Sequence, residues 1–265
     1  MRRRFFVEQF ENNRAVMSGD AAHHLGRVLR AEAGQLYELS DGARVWLARV
    51  EEAGRDRVEF ALVEPIAGNE PAVETTLLLA VVKFDSFEWA LEKATELGVR
   101  TIVPVAASRS EKALLHAVEK RSQRWRKILQ EASQQSRRVR IPELRAAQKP
   151  AVAFKSASGF RVMLSERVEA LPLRRLLGVP QDSLDLRSLS GLEQNGSKDP
   201  PLQKDAGDDA AKAATLAIGP EGGWTDEEFA TAEAAGFRQA SLGSLILRTE
   251  TAVVAALANL NYALG

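Results

Sequence analysis

The feature that most constrains the fold is a change of hydrophobic period near Thr76. TLLLAVVK (76–83) is apolar almost throughout, which is typical of a strand buried on both faces. SFEWALEKATELG (86–98) follows it with an apolar stripe at helical spacing and a terminal glycine. Strands that alternate with helices predict an α/β fold with a mostly parallel sheet. Later strands are predicted in TIVPV, FRVMLSE, ATLAIGP and QASLGSLIL.

The first seventy residues follow a different pattern. QLYELSDGARVWLARVEEA (35–53) alternates apolar and polar residues around Asp41-Gly42, which predicts a β-hairpin. RVEFALVEP (57–65) predicts another strand, and a short helix is expected within residues 19–35, ending at Gly34. We therefore expect a small β domain at residues 1–70 and an α/β domain at residues 71–265.

The composition excludes several classes of protein. The chain has 265 residues and no cysteine, so disulfides, cysteine-ligated metals and a cysteine nucleophile are excluded. Its three histidines make a multi-histidine metal site improbable, and no metal is expected. No segment approaches the roughly 20 apolar residues that a membrane span needs, so we expect a cytoplasmic protein that contacts no membrane.

The zero net charge conceals two oppositely charged segments. Residues 119–145 carry nine Lys or Arg and three acidic residues, whereas residues 181–210 carry seven acidic and three basic residues. The basic segment fits either a solvated helix face or an RNA contact, and its mixture of cations, Trp125 and amides favours RNA. A polar insertion at 178–214 is expected to be a disordered surface loop.

Two glycine-containing junctions join predicted strands to predicted helices near the C-terminus. In GPEGGWTDEEF (219–229), Thr225 and Glu228 form a capping-box pattern, and glycines precede the helix. Bare backbone before a helix suits an anionic or polar ligand, although a tight turn alone gives the same pattern. The motifs of Rossmann and P-loop nucleotide sites are missing.

The second junction is SLGSLILRTETAVV (241–254). Thr249 is expected to cap the last helix, with Glu250 in its first turn. Arg248 follows an apolar run that looks buried and precedes a helix N-terminus, where a cation needs a polar or anionic partner. Both junctions are expected at carboxyl ends of strands, where open α/β sheets bind ligands.

These residues resemble the RsmE family, SPOUT-class bacterial enzymes that methylate N3 of one uridine in 16S ribosomal RNA with S-adenosylmethionine. IGPEGGWTDEEF and SLGSLILRTETA are similar to its two C-terminal motifs. HHLGRVLRAEAGQ, KFDSFEWALEKATELGVRTIVPVAASRS and RWRKILQEASQQSRRVRIPEL resemble further family segments, and the main departure from the pattern is the polar insertion after Leu177.

The resemblance implies a deep trefoil knot in the C-terminal domain, a PUA-like β-barrel at the N-terminus, and a homodimer with its active site at the subunit interface. It also implies that three chain crossings form one S-adenosylmethionine pocket. Carried over by position, the cofactor-binding residues are Leu164, Ser165, Glu166, Ile218, Gly219, Pro220, Glu221, Gly222, Gly223, Leu242, Gly243, Ile246, Leu247 and Arg248.

The expected catalytic residue is Arg248, whose charge would stabilise the uridine anion that forms when N3 loses its proton. A general base is left open between a carboxylate (Glu221 or Glu250) and water. The expected partner is 16S ribosomal RNA within the small subunit. Alternatives are another RNA target, such as tRNA or a ribose 2′-hydroxyl, and an inactive RNA-binding homologue. Expected RNA contacts are Arg27, Arg30, Arg121, Arg124, Arg137 and Arg138.

Overall fold

The computed structural model describes residues 4–179 and 212–264. Its N-terminal part is a six-stranded sheet, curled into a half-barrel, with strand order β1-β4-β5-β6-β3-β2. Its strands are β1 (Arg4–Phe6), β2 (Phe10–Glu11), β3 (Arg14–Ser18), β4 (Leu36–Ser40), β5 (Val45–Ala53) and β6 (Arg57–Ile66).

The predicted hairpin around Asp41-Gly42 is confirmed, because β4 and β5 pair antiparallel with Ser40 opposite Val45. Gly42 has a φ of +86°, a conformation that L side chains avoid. Alternate side chains of β5 and β6, among them Val50, Val58 and Phe60, form the core of this sheet. The alternation of apolar and polar residues along these strands therefore indicates a sheet with one buried and one solvated face.

The short N-terminal helix is shorter than expected. Helix α1 (Gly19–His23) continues directly into a π-helical turn (His24–Val28), well before Gly34. Arg30, just after the turn, is a non-glycine residue with φ of +51°. Gly34 also has a positive φ, so it serves the turn into β4 and not the end of the helix.

The second sheet has seven strands in the order β11-β13-β10-β12-β7-β8-β9, and every pairing in it is parallel. This confirms the predicted α/β class. Its strands are β7 (Val73–Ala80), β8 (Thr101–Val105), β9 (Glu143–Leu144), β10 (Phe160–Leu164), β11 (Leu171–Pro172), β12 (Lys212–Ile218) and β13 (Arg238–Ser241). The predicted domain boundary at residue 70 falls between β6 and β7.

Helices cover both faces of this sheet. Leu77 and Leu79 of β7 pack in one apolar cluster, and Leu78 and Ala80 pack in another on the opposite face. This explains why the strand reads as a continuous apolar run. The first cluster includes α2 (Phe84–Glu96), α3 (Lys112–Gln135), α5 (Leu173–Leu176) and α7 (Thr249–Leu264); the second includes α4 (Pro150–Lys155) and α6 (Asp226–Ala234).

Three predicted boundaries are wrong. The strand expected at 76–83 spans Val73–Ala80, three residues earlier at each end. The strand expected in QASLGSLIL ends at Ser241, so residues 242–248 form a loop. Strand β12 begins at Lys212, before the expected end of the polar insertion at 214, because Lys212 already pairs with Val73. The rest of that insertion, residues 180–211, lies outside the described part of the chain. The trefoil knot stays a prediction.

Candidate active site

Three loops meet at one edge of the parallel sheet. Strands β13, β10 and β12 are neighbours, and the loop after each begins at its carboxyl end. These loops enclose a cavity of about 630 Å³, a size typical of small-molecule sites. The sheet topology therefore brings together segments that are far apart in the sequence, as expected for ligand sites of open α/β sheets.

All but one of the predicted cofactor-binding residues line this cavity. The first loop contributes Leu164, Ser165 and Glu166, the second Ile218 to Gly223, and the third Leu242, Gly243, Ile246 and Leu247. Arg248 is not among the lining residues, although its neighbours Leu247 and Thr249 are. The structure thus places Arg248 beside the cavity and not in its wall.

The second loop is held by the capping box at the start of α6. The Thr225 hydroxyl accepts from the Glu228 amide at 3.2 Å, and the Glu228 carboxylate accepts from the Thr225 amide at 2.8 Å. The predicted capping box is therefore confirmed. The same buried carboxylate also accepts from the Ser108 amide at 2.8 Å, which ties α6 to the loop after β8.

Two arginines that sequence reasoning missed support the cavity. Arg109, which also lines the cavity, donates to the carbonyl oxygens of Gly222 (2.6 Å) and Trp224 (3.3 Å), so it holds the second loop in place. Arg167 lies 3.9 Å from the centre of the Phe229 ring and pairs with Asp226. Arg109 lies in VAASRS, a segment quoted for its family resemblance, but nothing in its sequence spacing relates it to Gly222.

The third loop differs from the sequence expectation. Leu245 and Ile246 are each 80% exposed, so the run before Arg248 is not a buried strand. Arg248 is exposed, and within the described residues its guanidinium has no hydrogen bond or ion pair. The Thr249 hydroxyl does not cap α7, which begins at that residue, but donates to the Gly219 carbonyl at 3.0 Å. This bond joins the second and third loops.

Three positions in these loops require glycine, for different physical reasons. Gly223 (φ +69°) and Gly243 (φ +135°) occupy conformations that favour glycine. Gly219 has no such φ, but a Cβ there would lie 3.0 Å from Nε1 of Trp224. Gly222 is the most permissive position, because its Cβ would meet only the flexible Arg109 side chain, at 3.4 Å.

The cavity suits a ligand with an apolar ring and a cationic group. Its walls include the apolar side chains of Leu164, Ile218 and Leu247. Charged side chains also line it, namely the acidic Glu166, Glu221 and Asp226 and the basic Arg109 and Arg167. The buried Nε1 of Trp224, another lining residue, has no hydrogen-bond partner within the described residues. The donor, the carboxylates and the bare backbone fit the polar groups of S-adenosylmethionine.

The predicted RNA-binding residues in and just after α3 divide into exposed and buried side chains. Arg121 and Arg124 are partly exposed and bond the Glu88 carboxylate, at 3.4 and 2.8 Å. Arg138 is only 6% exposed and donates to the carbonyls of Thr95, Gly98 and Val99.

Burial lowers the pKa of Arg138 to about 10, so this side chain remains charged at neutral pH. Its placement does not support the predicted RNA contact, and we omit it from the RNA surface. Trp125 is also buried, with its ring centre 4.5 Å from that of Phe87, so it belongs to the core.

The remaining predicted RNA contacts lie elsewhere. Arg27 and Arg30 are exposed in and just after the π-helical turn of the N-terminal sheet. Arg137 bonds Glu38 of β4 at 2.8 Å. In residues 4–179 and 212–264, no group of three or more His, Asp or Glu side chains is placed to hold a metal ion. No helix in those residues is long and apolar enough to cross a membrane.

Comparisons with known proteins agree with this architecture. The family described as "RNA methyltransferase domain" matches residues 69–261, and the one described as "RNA methyltransferase PUA domain" matches residues 18–63. Together with the cavity at the sheet edge, these matches define the class as an RNA methyltransferase.

Individual relatives are more specific. Ribosomal RNA small subunit methyltransferase E of Synechocystis sp. is 32% identical over 90% of this chain and 70% of its own length. The protein of that name from Mycobacterium bovis is 30% identical over 92% of this chain and 84% of its own length. A crystal structure of that enzyme from Neisseria gonorrhoeae bound to S-adenosyl methionine matches with a TM-score of 0.79 and 26% identity, over 99% of this chain and 98% of that chain. The chain belongs to the ribosomal RNA small subunit methyltransferase E family, which confirms the resemblance.

Proposed function

We propose that this protein transfers the methyl group of S-adenosylmethionine to N3 of one uridine in 16S ribosomal RNA. The observation that carries the proposal is the single cavity formed by three loops that the sequence predicts to bind this cofactor. The Neisseria gonorrhoeae relative, which matches over nearly its whole length, was solved with S-adenosyl methionine bound. Family membership supplies the ribosomal RNA target.

The cofactor supplies an electrophilic methyl group on a sulfonium, and the protein mainly positions the two reactants. Backbone groups around Gly219, Gly223 and Gly243, which carry no side chain of their own, would hold it. Glu166 and Glu221 would face its cationic groups. The Thr249–Gly219 bond keeps the two glycine-containing loops in register.

Arg248 is proposed as the catalytic residue. It lies beside the cavity, it is exposed, and within the described chain its guanidinium is not neutralised by a carboxylate. A free guanidinium can bond a uridine carbonyl oxygen and stabilise the anion formed when N3 loses its proton. This role concerns the RNA and not the cofactor, in keeping with its position outside the cavity wall.

Three candidates remain for the group that accepts the N3 proton: two carboxylates and water. Glu221 lines the cavity. Glu250 lies in the first turn of α7, and its Oε2 is buried without a hydrogen-bond partner in the described residues. Either carboxylate can act only if the bound uridine reaches it.

The proposed RNA surface includes Arg27 and Arg30 of the N-terminal sheet and Arg121, Arg124 and Arg137 at α3. We further propose that residues 1–70 form a PUA-like RNA-binding domain and residues 71–265 a knotted methyltransferase domain. The protein would act in the cytoplasm as a homodimer whose active site lies at the subunit interface. The exposed Val168, Leu245 and Ile246 at the cavity are apolar surface that a second copy would cover.

The deciding experiment maps modified nucleosides in 16S ribosomal RNA by mass spectrometry, with and without the gene. Loss of one N3-methyluridine in the deletion strain, restored by the wild-type gene, supports the proposal. Loss of a modification elsewhere, in tRNA or at a ribose 2′-hydroxyl, changes the target. Unchanged RNA, together with no S-adenosylmethionine binding in calorimetry, would indicate an inactive RNA-binding homologue.

A further inference from the structure

The segment that follows α3 contacts both sheets of the molecule. The Glu38 carboxylate of β4 is buried, and its Oε2 accepts from Nε and Nη2 of Arg4, at 3.1 and 2.9 Å. Its Oε1 accepts from Nη2 of Arg137, at 2.8 Å, just beyond the end of α3. One buried carboxylate of the N-terminal sheet therefore forms ion pairs with a cation from its own sheet and with one from the methyltransferase part.

Backbone contacts reinforce this joint. The Arg4 guanidinium also donates to the Arg137 carbonyl, and the Ser40 hydroxyl donates to the Val139 carbonyl. The residue between them, Arg138, points the other way, to the carbonyls at the end of α2. Consecutive residues thus alternate between the two halves of the molecule.

The connecting segment between the sheets is held at the same place. A Cβ on Gly68 would lie 2.4 Å from Cγ2 of Val139, so the two backbones can approach only because residue 68 is glycine. Arg140 pairs with Glu70 at 3.4 Å. We define the interdomain clamp as Arg4, Glu38, Ser40 and residues 137–140.

The backbone at Arg137 gives independent support. Its φ is +56°, and the Arg138 amide bonds the Ser133 carbonyl at 3.0 Å, the hydrogen bond that closes a helix C-terminus. Glycine usually occupies such a position, because a Cβ raises the energy of this conformation. An arginine here is explained by what its side chain does, which is to bond Glu38.

We propose that the interdomain clamp holds the N-terminal sheet and α3 as one rigid RNA-binding body, with Glu38 as its positioning residue. The exposed arginines at the π-helical turn and on α3 then contact one RNA at a set spacing. Two linked sites bind far more tightly than either alone when their geometry is held. The RNA part of this inference rests on the proposed function; the rigidity does not.

The rigidity is tested by distance measurement between spin labels. The chain has no cysteine, so Arg55→Cys and Lys155→Cys, both exposed, place one label on each half. We expect a narrow distance distribution that Glu38→Gln broadens. The matched control is Glu59→Gln, which breaks a surface pair with Arg57 inside the N-terminal sheet. Ser40→Ala is the substitute if Glu38→Gln does not fold. A distribution unchanged in the folded variant overturns the clamp.

The consequence for RNA is tested by steady-state methylation of 16S ribosomal RNA. Glu38→Gln removes a negative charge, which by electrostatics alone would strengthen RNA binding. The clamp requires the opposite: a KM for RNA raised by roughly tenfold, with kcat and the S-adenosylmethionine dissociation constant nearly unchanged. A KM that stays equal or falls overturns the positioning role. A wild-type protein that methylates no RNA would refute the proposed function, and the spin-label distances would still decide on the clamp.

Arg137→Gly separates the clamp from local backbone strain. Glycine relieves the positive φ but removes the bond to Glu38. The clamp predicts a broader distance distribution in this variant. A narrow distribution of spin-label distances together with a raised melting temperature would show that Arg137 contributes only backbone strain and does not hold the two halves together.

Discussion

At the residue scale, the third loop of the cavity depends on Gly243, whose φ is +135°. A Cβ there would meet no atom within 4 Å, so any effect of Gly243→Ala comes from the backbone alone. Such a conformation costs about 1–3 kcal/mol for a non-glycine residue. We expect the loop to relax and S-adenosylmethionine affinity to fall by roughly tenfold, measured by calorimetry.

The matched control is Gly42→Ala. Gly42 also has a positive φ and open space at its Cβ, but it lies in the β4–β5 hairpin. This variant should lose stability to a similar degree and keep its cofactor affinity. Equal affinities in the two variants would show that the third loop does not shape the pocket.

Arg248 is expected to act in the transition state. Arg248→Ala should lower the single-turnover methylation rate by about 10²–10³, the usual effect of removing one preorganised donor. S-adenosylmethionine affinity should change little, because Arg248 does not line the cavity. Arg109→Ala is the contrasting variant, since it releases the carbonyls of Gly222 and Trp224 and should weaken cofactor binding. A wild-type rate in Arg248→Ala would refute the catalytic role.

At the scale of the elements, the Arg138 side chain stabilises the C-terminal end of α2. Its guanidinium satisfies three carbonyls at the C-terminal end of this helix, those of Thr95, Gly98 and Val99. A hydrogen bond to a charged group contributes about 1.5–3 kcal/mol, and removal of Arg138 also relieves the cost of burying its charge, so the three bonds do not add in full. We expect Arg138→Ala to lower the free energy of unfolding by about 2–4 kcal/mol in urea denaturation.

The comparison variant for that measurement is Arg145→Ala. Arg145 forms an exposed pair with Glu143, and such pairs contribute about 0–1 kcal/mol. If Arg138→Ala were as stable as Arg145→Ala, Arg138 would not anchor α2, and a role in RNA binding would be open again.

At the scale of the whole molecule, RNA binding should depend on the exposed cations of α3. Arg124 and Lys127 lie on one helical face, with side chains 64% and 76% exposed. Each phosphate contact adds about 0.7–0.9 to the slope of log K against log salt. The double variant Arg124→Ala, Lys127→Ala should flatten the slope by about one to two, as measured by filter binding over a salt series.

Lys155→Ala is the control for this effect. It removes an exposed cation from α4, on the opposite face of the parallel sheet, and should leave the slope unchanged. Identical slopes in all three proteins would make α3 an ordinary solvated face.

Self-association is the second prediction at this scale. Leu245→Asp places a charge in the exposed apolar surface at the cavity, and we expect it to shift the mass in light scattering from twice 29.0 kDa towards 29.0 kDa. Val28→Asp changes another exposed apolar residue, at the end of the π-helical turn, and should remain dimeric. A wild-type protein that is monomeric at micromolar concentration would contradict the proposed homodimer.

Much of the architecture follows from the sequence alone. Hydrophobic period indicates which faces of a strand or helix are buried, so it predicts the central strand observed at Val73–Ala80 and the amphipathic helix observed at Phe84–Glu96, although not their exact ends. Capping and turn residues act over a few positions. The sequence therefore also predicts the capping box at Thr225 and Glu228 and the hairpin at Gly42. The family resemblance predicts thirteen residues that line the cavity, but it does not predict other lining residues such as Arg109, Arg167 and Trp224.

Other features depend on residues that are distant in the sequence, and only the tertiary structure decides them. Leu245 and Ile246 look like strand residues, but β13 ends at Ser241 and they face outward. In the sequence Arg138 resembles the partly exposed Arg137 and Arg140, yet it is buried because the end of α2 lies within its reach. Arg109 contributes because β8 and β12 flank β7 in one parallel sheet, so the loops that follow them emerge at the same edge. Local pattern predicts which residues prefer burial; the packing of distant elements determines which partners they find.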